Sequence, residues 1–241
     1  MLKFFRRIRK TILADGATTK YMLYAAGEIA LVVIGILIAL QINNWNEWKK
    51  DRTTEREILA GIQMNLESNI DRLTTFREFL GDLDSSSEIV ISMLNGSTKF
   101  HDSIINHFDF SLRQISNSQR TVSIVGYQAL SNEGFGIIRN TRLKNEIIKL
   151  FEESYHDLEN AIARVGQTYA SVVDIQHEYF RRTPDTRLIP INPDELIGEV
   201  RIANWVQYIM SGRAYVIRYI DSSLIESENV INLIRDELSE Q

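Results

Sequence analysis

From Tyr21 to Leu40 the chain reads YMLYAAGEIALVVIGILIAL, twenty residues with one charge, Glu28. As a helix rising about 1.5 Å per residue it covers roughly 30 Å, the thickness of one bilayer core. Two other readings compete with a membrane span. Buried core helices rarely hold so long an unbroken apolar run, and a cleaved signal peptide has a shorter apolar region followed by small residues at its cleavage site. Here the chain continues Leu40-Gln41-Ile42-Asn43-Asn44-Trp45, which predicts an uncleaved transmembrane anchor over about residues 21–42.

The formal net charge of −5 averages unequal parts. Residues 1–20 hold six basic side chains against one acid, a net of +5, and the remaining 221 hold 21 against 31, a net of −10. Six Lys and Arg precede the span and four follow it closely (Lys49, Lys50, Arg52, Arg56), which predicts a cytoplasmic N-terminus and a translocated C-terminal part. Phe5, Ile8 and Ile12 lie 3 and 4 apart among Arg6, Arg7, Arg9 and Lys10, the pattern of a short basic amphipathic helix on an anionic leaflet. A nucleic-acid-binding arm is the other reading of a basic tail, but this close to a span the expected partner is lipid, and no nucleic acid is expected.

Glu28 is the most informative single residue of the span. At 100° per residue, Gly35 and Ala39 fall within about 20° of it around the helix axis, so an acid and a small-residue pair share one stripe. Small residues let helix backbones approach and a membrane acid wants a partner, which predicts packing of Glu28, Gly35 and Ala39 against another transmembrane helix. The alternative is that Glu28 snorkels toward the headgroups near Tyr21 and Tyr24. The exit segment Gln41, Asn43, Asn44, Trp45, Asn46, Trp48 reads as a membrane-interface belt of indoles and amides, or as a membrane-proximal contact with a larger assembly.

Beyond the span the chain reads as helix. Leu59, Leu66, Leu73 and Leu80 recur every seven residues, with Ile62, Asn69, Phe76 and Leu83 three places after each, a coiled-coil seam of a and d positions. Trp45 and Trp48 share this register, but so do Arg52 and Glu55, which interrupt it, and the helix is expected over about 45–83. Its partner lies in the same chain or in another copy. A turn-rich zone at Gly81–Ser87 and a short helix at Ile89–Leu94 are expected next, followed by a break at Asn95-Gly96-Ser97; residues 98–120 hold alternating fragments too short to assign, and the strand-like pieces at 104–125 are what competes with an all-helical reading. A helix over Val122–Asn132 and a Gly134/Gly136 turn lead to a long helix over about 141–181, whose apolar face (Leu143, Ile147, Leu150, Leu158, Ala161, Val165) has an eight-residue gap at Ser154. Pro184, Pro190 and Pro193 mark the crossover to a last helix over about 193–238, with Ile202, Val206, Ile209, Val216, Ile220, Leu224 and Ile231 on its stripe. The predicted class is all-α: one N-terminal transmembrane helix continuing into a helical, coiled-coil-like extramembrane bundle over residues 43–241.

No catalytic constellation is present. The four histidines are scattered without a His-x-x-x-His pair, and with no Cys there is no zinc set. His101, Asp102, His107 and Asp109 are the nearest approach to a ligand cluster and read better as solvated loop residues; Gly134-Phe135-Gly136 reads better as a helix-capping turn than as a phosphate loop. No cofactor and no metal are expected.

The run GEIALVVIGILIALQINNWNEWKKDR from Gly27 to Arg52, preceded by MLKFFRRIRK, resembles a family of uncharacterised single-span bacterial membrane proteins defined only as a domain of unknown function. Tyr127-x-x-Leu130-x-x-x-Gly134 and Ile138-x-Asn140-x-x-Leu143-Lys144 are similar to its second block, and nothing beyond about residue 181 is matched. The resemblance implies a Gram-negative inner-membrane protein with a periplasmic helical domain, and it transfers no catalytic residue. The function expected is non-enzymatic assembly, as a homo-oligomer or an accessory subunit of an envelope complex, with the bilayer and a protein partner as contacts through the span and the heptad helix. The alternative is a membrane-anchored sensory or ligand-binding module.

Overall fold

Three- and four-residue apolar spacing favours helix, and helix dominates the chain. The computed structural model describes residues 18–113, 115, 122–169 and 173–240. Residues 1–17, with Arg6, Arg7, Arg9 and Lys10 of the expected lipid-facing arm, lie outside the described residues. The first element is a single helix, α1, Thr18–Leu94. The chain divides into two units, Met1–Thr54 and Glu55–Gln241. In the first unit every residue from Ala26 to Asp51 is exposed.

The second unit is all-α. Beside its share of α1 it contains α2 (Ile104–Ser111), α3 (Val125–Glu133), α4 (Thr141–Lys149), α5 (Tyr155–Tyr169), α6 (Val173–Tyr179) and α7 (Val200–Ser239). A two-stranded antiparallel hairpin pairs β1 (Phe180–Arg182) with β2 (Leu188–Pro190), Phe180 opposite Pro190.

Side-chain pairs fix how the long helices run. Glu67 meets Arg235 at 3.0 Å, Arg77 meets Asp221 at 2.5 Å and Asp84 meets Arg213 at 3.0 Å, so α7 lies antiparallel to residues 55–94 of α1. Glu55 accepts the Arg139 N–H at 3.0 Å and Asn69 reaches Tyr155 at 3.5 Å, so α4 and α5 run parallel to α1. Tyr155 and Ser227 close the triangle at 2.8 Å. The core is the seam these three rods enclose, with Leu59, Ile62, Leu66, Leu73, Leu80, Leu143, Ile147, Leu158, Ile209, Val216 and Ile220 all fully buried.

The structure departs from the sequence expectations at five places. The turn-rich zone at Gly81–Ser87 is helix, and α1 runs on to Leu94, because Leu83, Ser87, Val90 and Leu94 keep the heptad register and are all buried. Glu55 does not interrupt the seam but forms its first buried layer, its carboxylate taken up by a backbone N–H. Short strands lie at 180–182 and 188–190, where none is expected, and residues 104–111, open between helix and strand in the sequence, are the helix α2. The long helix expected over 141–181 carries a π turn at Leu150–Ser154 and gives way to strand at Phe180. The last helix starts at Val200 rather than 193, because Pro193–Leu196 is a 3-10 turn and Gly198 has φ 85° before the Glu199 N-cap.

Candidate functional site

The residues of the candidate span remain uncovered. Met22, Leu31, Ile34 and Leu37 are 68%, 71%, 55% and 58% exposed. Among the described residues this is the one helix long and apolar enough to cross a membrane by length and composition, with none of its most apolar window buried. Glu28, Gly35 and Ala39 are exposed on that unbroken helix and so keep their shared stripe, with open space where a Gly35 side chain would sit. In the exit segment Gln41, Asn43, Asn44, Trp45 and Trp48 are all exposed; Asn43 Nδ2 donates to Glu47 at 3.0 Å and Lys49 Nζ stands 5.9 Å from the Trp45 ring centre.

The seam behaves oppositely. Leu59, Ile62, Leu66, Asn69, Leu73 and Leu80 are fully buried and Phe76 packs partly buried against the same core, all within a single chain. The seam therefore takes its partners from its own α4, α5 and α7. Asn69, the polar member, is satisfied in full view of the backbone: its Oδ1 accepts the Ser123 N–H at 2.7 Å and its Nδ2 donates to the Ser123 carbonyl at 2.9 Å. This pins the segment leading into α3 against α1. At Gly126 a Cβ would stand 3.0 Å from Ile62 Cα, so only glycine lets α3 approach this closely.

Toward the Leu94 end of the bundle, Arg213 on α7 is fully buried. Its guanidinium donates to Asp84 Oδ1 and Ser87 Oγ, each at 3.0 Å, and to the carbonyls of Ser111 at 2.6 Å and Arg113 at 3.2 Å. It thereby caps the C-terminus of α2, whose last carbonyls have no helical partner. Burial outweighs the pull of Arg213 and lifts the Asp84 acid above its ordinary value. Sequence reasoning missed Arg213, although its place between Ile209 and Val216 on the α7 stripe is the signal: a charge at a core position needs buried acceptors.

The third feature is a cavity of about 530 Å³ beside the π turn. A π turn inserts one extra residue, so Leu150 and Tyr155, five apart, both face inward and are both buried. The eight-residue gap at Ser154 was its trace in the sequence. Phe151 stacks on Tyr127 at 4.7 Å and 10°, and meets Tyr155 edge-on at 5.2 Å and 85°. Tyr127 donates its hydroxyl proton to Glu152 at 2.7 Å, and the Tyr155 hydroxyl pairs with Ser227. Burial first, and the Glu152 carboxylate second, push the Tyr127 phenol well above its usual range. The three rings lie almost wholly buried behind the cavity, and exposed Ile124, Val125, Arg72, Glu152, His156 and Glu159 line it.

The histidine region makes no such cluster. His101 pairs with Ser103, His107 with Ser86 at 3.2 Å, and Asp109 accepts the Leu188 N–H at 2.9 Å while pairing with Arg113. Among the described residues no three His, Asp or Glu side chains converge on one point.

No curated protein and no solved structure matches this chain. A family model does match, over residues 28–158, more than half the chain, from Glu28 in the apolar run through the seam of α1 to the buried aromatic rings and the π turn. The chain thus belongs to the Family of unknown function (DUF6090).

Proposed function

We propose that this chain is a single-span protein of the bacterial inner membrane, with a cytoplasmic N-terminus and a periplasmic helical domain over residues 43–241. Its role is assembly, without catalysis: it associates with a second copy or with an envelope complex through the span. One observation carries this reading. The apolar run from Met22 to Leu40 offers its side chains to the surroundings on all sides, while the apolar residues of the seam are consumed by the chain's own helices. Lipid satisfies the first set, and within lipid the Glu28, Gly35, Ala39 stripe is the face on which small residues permit close helix contact. The cation excess ahead of the span supports the orientation. The exposed Trp45 and Trp48 fit the exit interface.

Two measurements test it. An alkaline phosphatase fusion after Gln241 is expected to be active and a green fluorescent fusion there dark; the reverse pair overturns the orientation. Single cysteines introduced as Glu28→Cys, Gly35→Cys and Ala39→Cys are expected to cross-link between copies or to a partner in membranes, while Val33→Cys is not. Uniform cross-linking around the helix overturns the stripe as the contact face. A second reading, a membrane-anchored ligand-binding module, is favoured by the cavity beside the π turn.

A further inference from the structure

A second cavity, of about 320 Å³, lies within the Glu55–Gln241 unit where the hairpin meets the end of α2. The run Arg182-Thr183-Pro184-Asp185-Thr186-Arg187 makes the turn: the Thr183 N–H donates to the Arg187 carbonyl at 2.9 Å, and Thr186 takes φ 69°. Asp109 fastens β2 to α2, its Oδ1 accepting the Leu188 N–H and its Oδ2 pairing with Arg113, each at 2.9 Å. The Arg113 carbonyl in turn accepts from buried Arg213 at 3.2 Å, so the backbone that carries Arg113 is held from inside the bundle. These contacts bring Arg113, Arg182 and Arg187, from two separate stretches of chain, to the lining of one cavity.

Three guanidiniums and two carboxylates line it, a net of +1. The carboxylates are spent within the protein, Asp109 on Arg113 and the Leu188 N–H, Asp185 on Arg187 at 2.7 Å. Arg187 also donates to Asn106 at 3.3 Å. Arg182 differs. Its Nη1 donates to the Thr186 carbonyl at 3.2 Å, which occupies one of its five N–H groups, and among the described residues it has no ion-pair partner. The second unspent donor is Gln176 of α6. It is 8% exposed, lines the same cavity, and among the described residues its side-chain amide has no hydrogen-bond partner. A buried amide without an acceptor costs free energy that an acceptor inside the cavity recovers. A guanidinium fork with an uncompensated charge beside such an amide suits an oxyanion, whose oxygens accept from both. The volume stands at the small end of the range for small-molecule sites, roughly 300–1,000 Å³.

We propose that the hairpin cavity binds a small oxyanion, the carboxylate or phosphate group of a small ligand, with Arg182 and Gln176 as its donors and Arg113 and Arg187 held beside them by Asp109 and Asp185. The proposal is independent of the span and of the cavity beside the π turn.

Calorimetric titration of the full chain in phosphatidylcholine nanodiscs at pH 7 tests it, with inorganic phosphate and propionate as probes and chloride at equal ionic strength as the blank. At least one probe is expected to bind saturably at one site per chain; the tighter of the two assigns the group as phosphate or carboxylate. Absence of saturable binding by both overturns the proposal. Arg182 is exposed, so Arg182→Gln is expected to keep the fold, which circular dichroism checks, and to weaken binding about tenfold or more. Arg182→Lys, which keeps the charge and loses the fork, is the second variant and is expected to fall between the two. Gln176→Leu is expected to weaken binding several-fold. Wild-type affinity in the folded Arg182 variants overturns the site. So does an equal loss in Arg235→Gln, toward the other end of α7 from Trp205, whose ring packs on Phe180 of β1 at 6.3 Å, because that outcome marks diffuse charge attraction.

Discussion

Leu37 and Leu66 lie on the same helix, yet Leu37 is 58% exposed and Leu66 is fully buried. The difference is in what surrounds each in sequence. Around Leu66 the apolar residues recur at three and four, and the intervening Gln63, Glu67 and Ser68 give that stretch a wet face. One covered stripe then suffices, and the chain supplies the cover. Around Leu37 nearly every position is apolar, so one covered stripe does not suffice, and the stretch has the length and composition of a candidate membrane span. Trp45 and Trp48 sharpen the contrast. They keep the heptad register of the seam but are exposed, and burial begins at Glu55, where the first partner, the Arg139 N–H, appears. Register alone therefore does not bury a residue.

The comparison can be broken by substitution. The largest effect is expected at Arg213, where Arg213→Met leaves the Asp84 carboxylate and the carbonyls of Ser111 and Arg113 without their buried donor. A loss of about 3–5 kcal/mol is expected, measured by urea unfolding of the full chain in detergent. In the first unit, Ile34→Asp places a charge near the middle of the proposed span and is expected to cost about 2.5–3.5 kcal/mol of insertion. It reads out as a shift from the membrane to the soluble fraction while the urea midpoint of the helical domain stays put. The direct test is one substitution made twice: Leu66→Ala is expected to cost the domain about 2–5 kcal/mol, and Leu37→Ala less than about 0.5 kcal/mol on the same urea curve. Equal losses would mean that the two stretches share one core.

A smaller effect is expected at Tyr127. The folded phenol is held above its ordinary value, so it stays neutral after an unfolded tyrosine has begun to ionise at about pH 10. Its contribution is complete below that pH and is lost as pH rises further, because the unfolded chain then gives up its proton first. Tyr127→Phe is expected to cost about 1 kcal/mol at neutral pH by loss of the Glu152 hydrogen bond, and to flatten the alkaline decline of stability between pH 9 and 11.

Much of the second unit's architecture could be read from spacing. The seam from Leu59 to Leu83 follows from a seven-residue repeat, and the three long amphipathic rods follow from their stripes, since side-chain period and helix period are the same local geometry. What misled was composition: Gly81, Asp82, Asp84 and the serines at 85–87 look like a turn, but Leu80, Leu83 and Val90 keep the face, and packing overrides weak helix formers. Strand-like pairs at 104–110 became helix for the same reason, Ile104 and Phe108 falling four apart on a buried face. The candidate site was less legible. Of the rings behind the cavity, Tyr127 stands out in the sequence only within a family-like motif, and the extra residue of the π turn takes Tyr155 off the apolar spacing.

The sequence by itself determined what is local or additive: an apolar run of bilayer length, a heptad register, helix as the class, and an acid placed above a small-residue pair. Tertiary structure decided what depends on residues far apart in the chain. It chose α4, α5 and α7 rather than a second copy as cover for the seam, gave Asn69 the Ser123 backbone 54 residues away, and set Arg213 against Asp84 across 129 residues. It also gathered Arg113, Arg182 and Arg187 around one cavity. The physical reason is that periodicity tells a helix which side must be covered, whereas the identity of the cover, and the gaps left in it, are settled only when all the faces compete for one another in space.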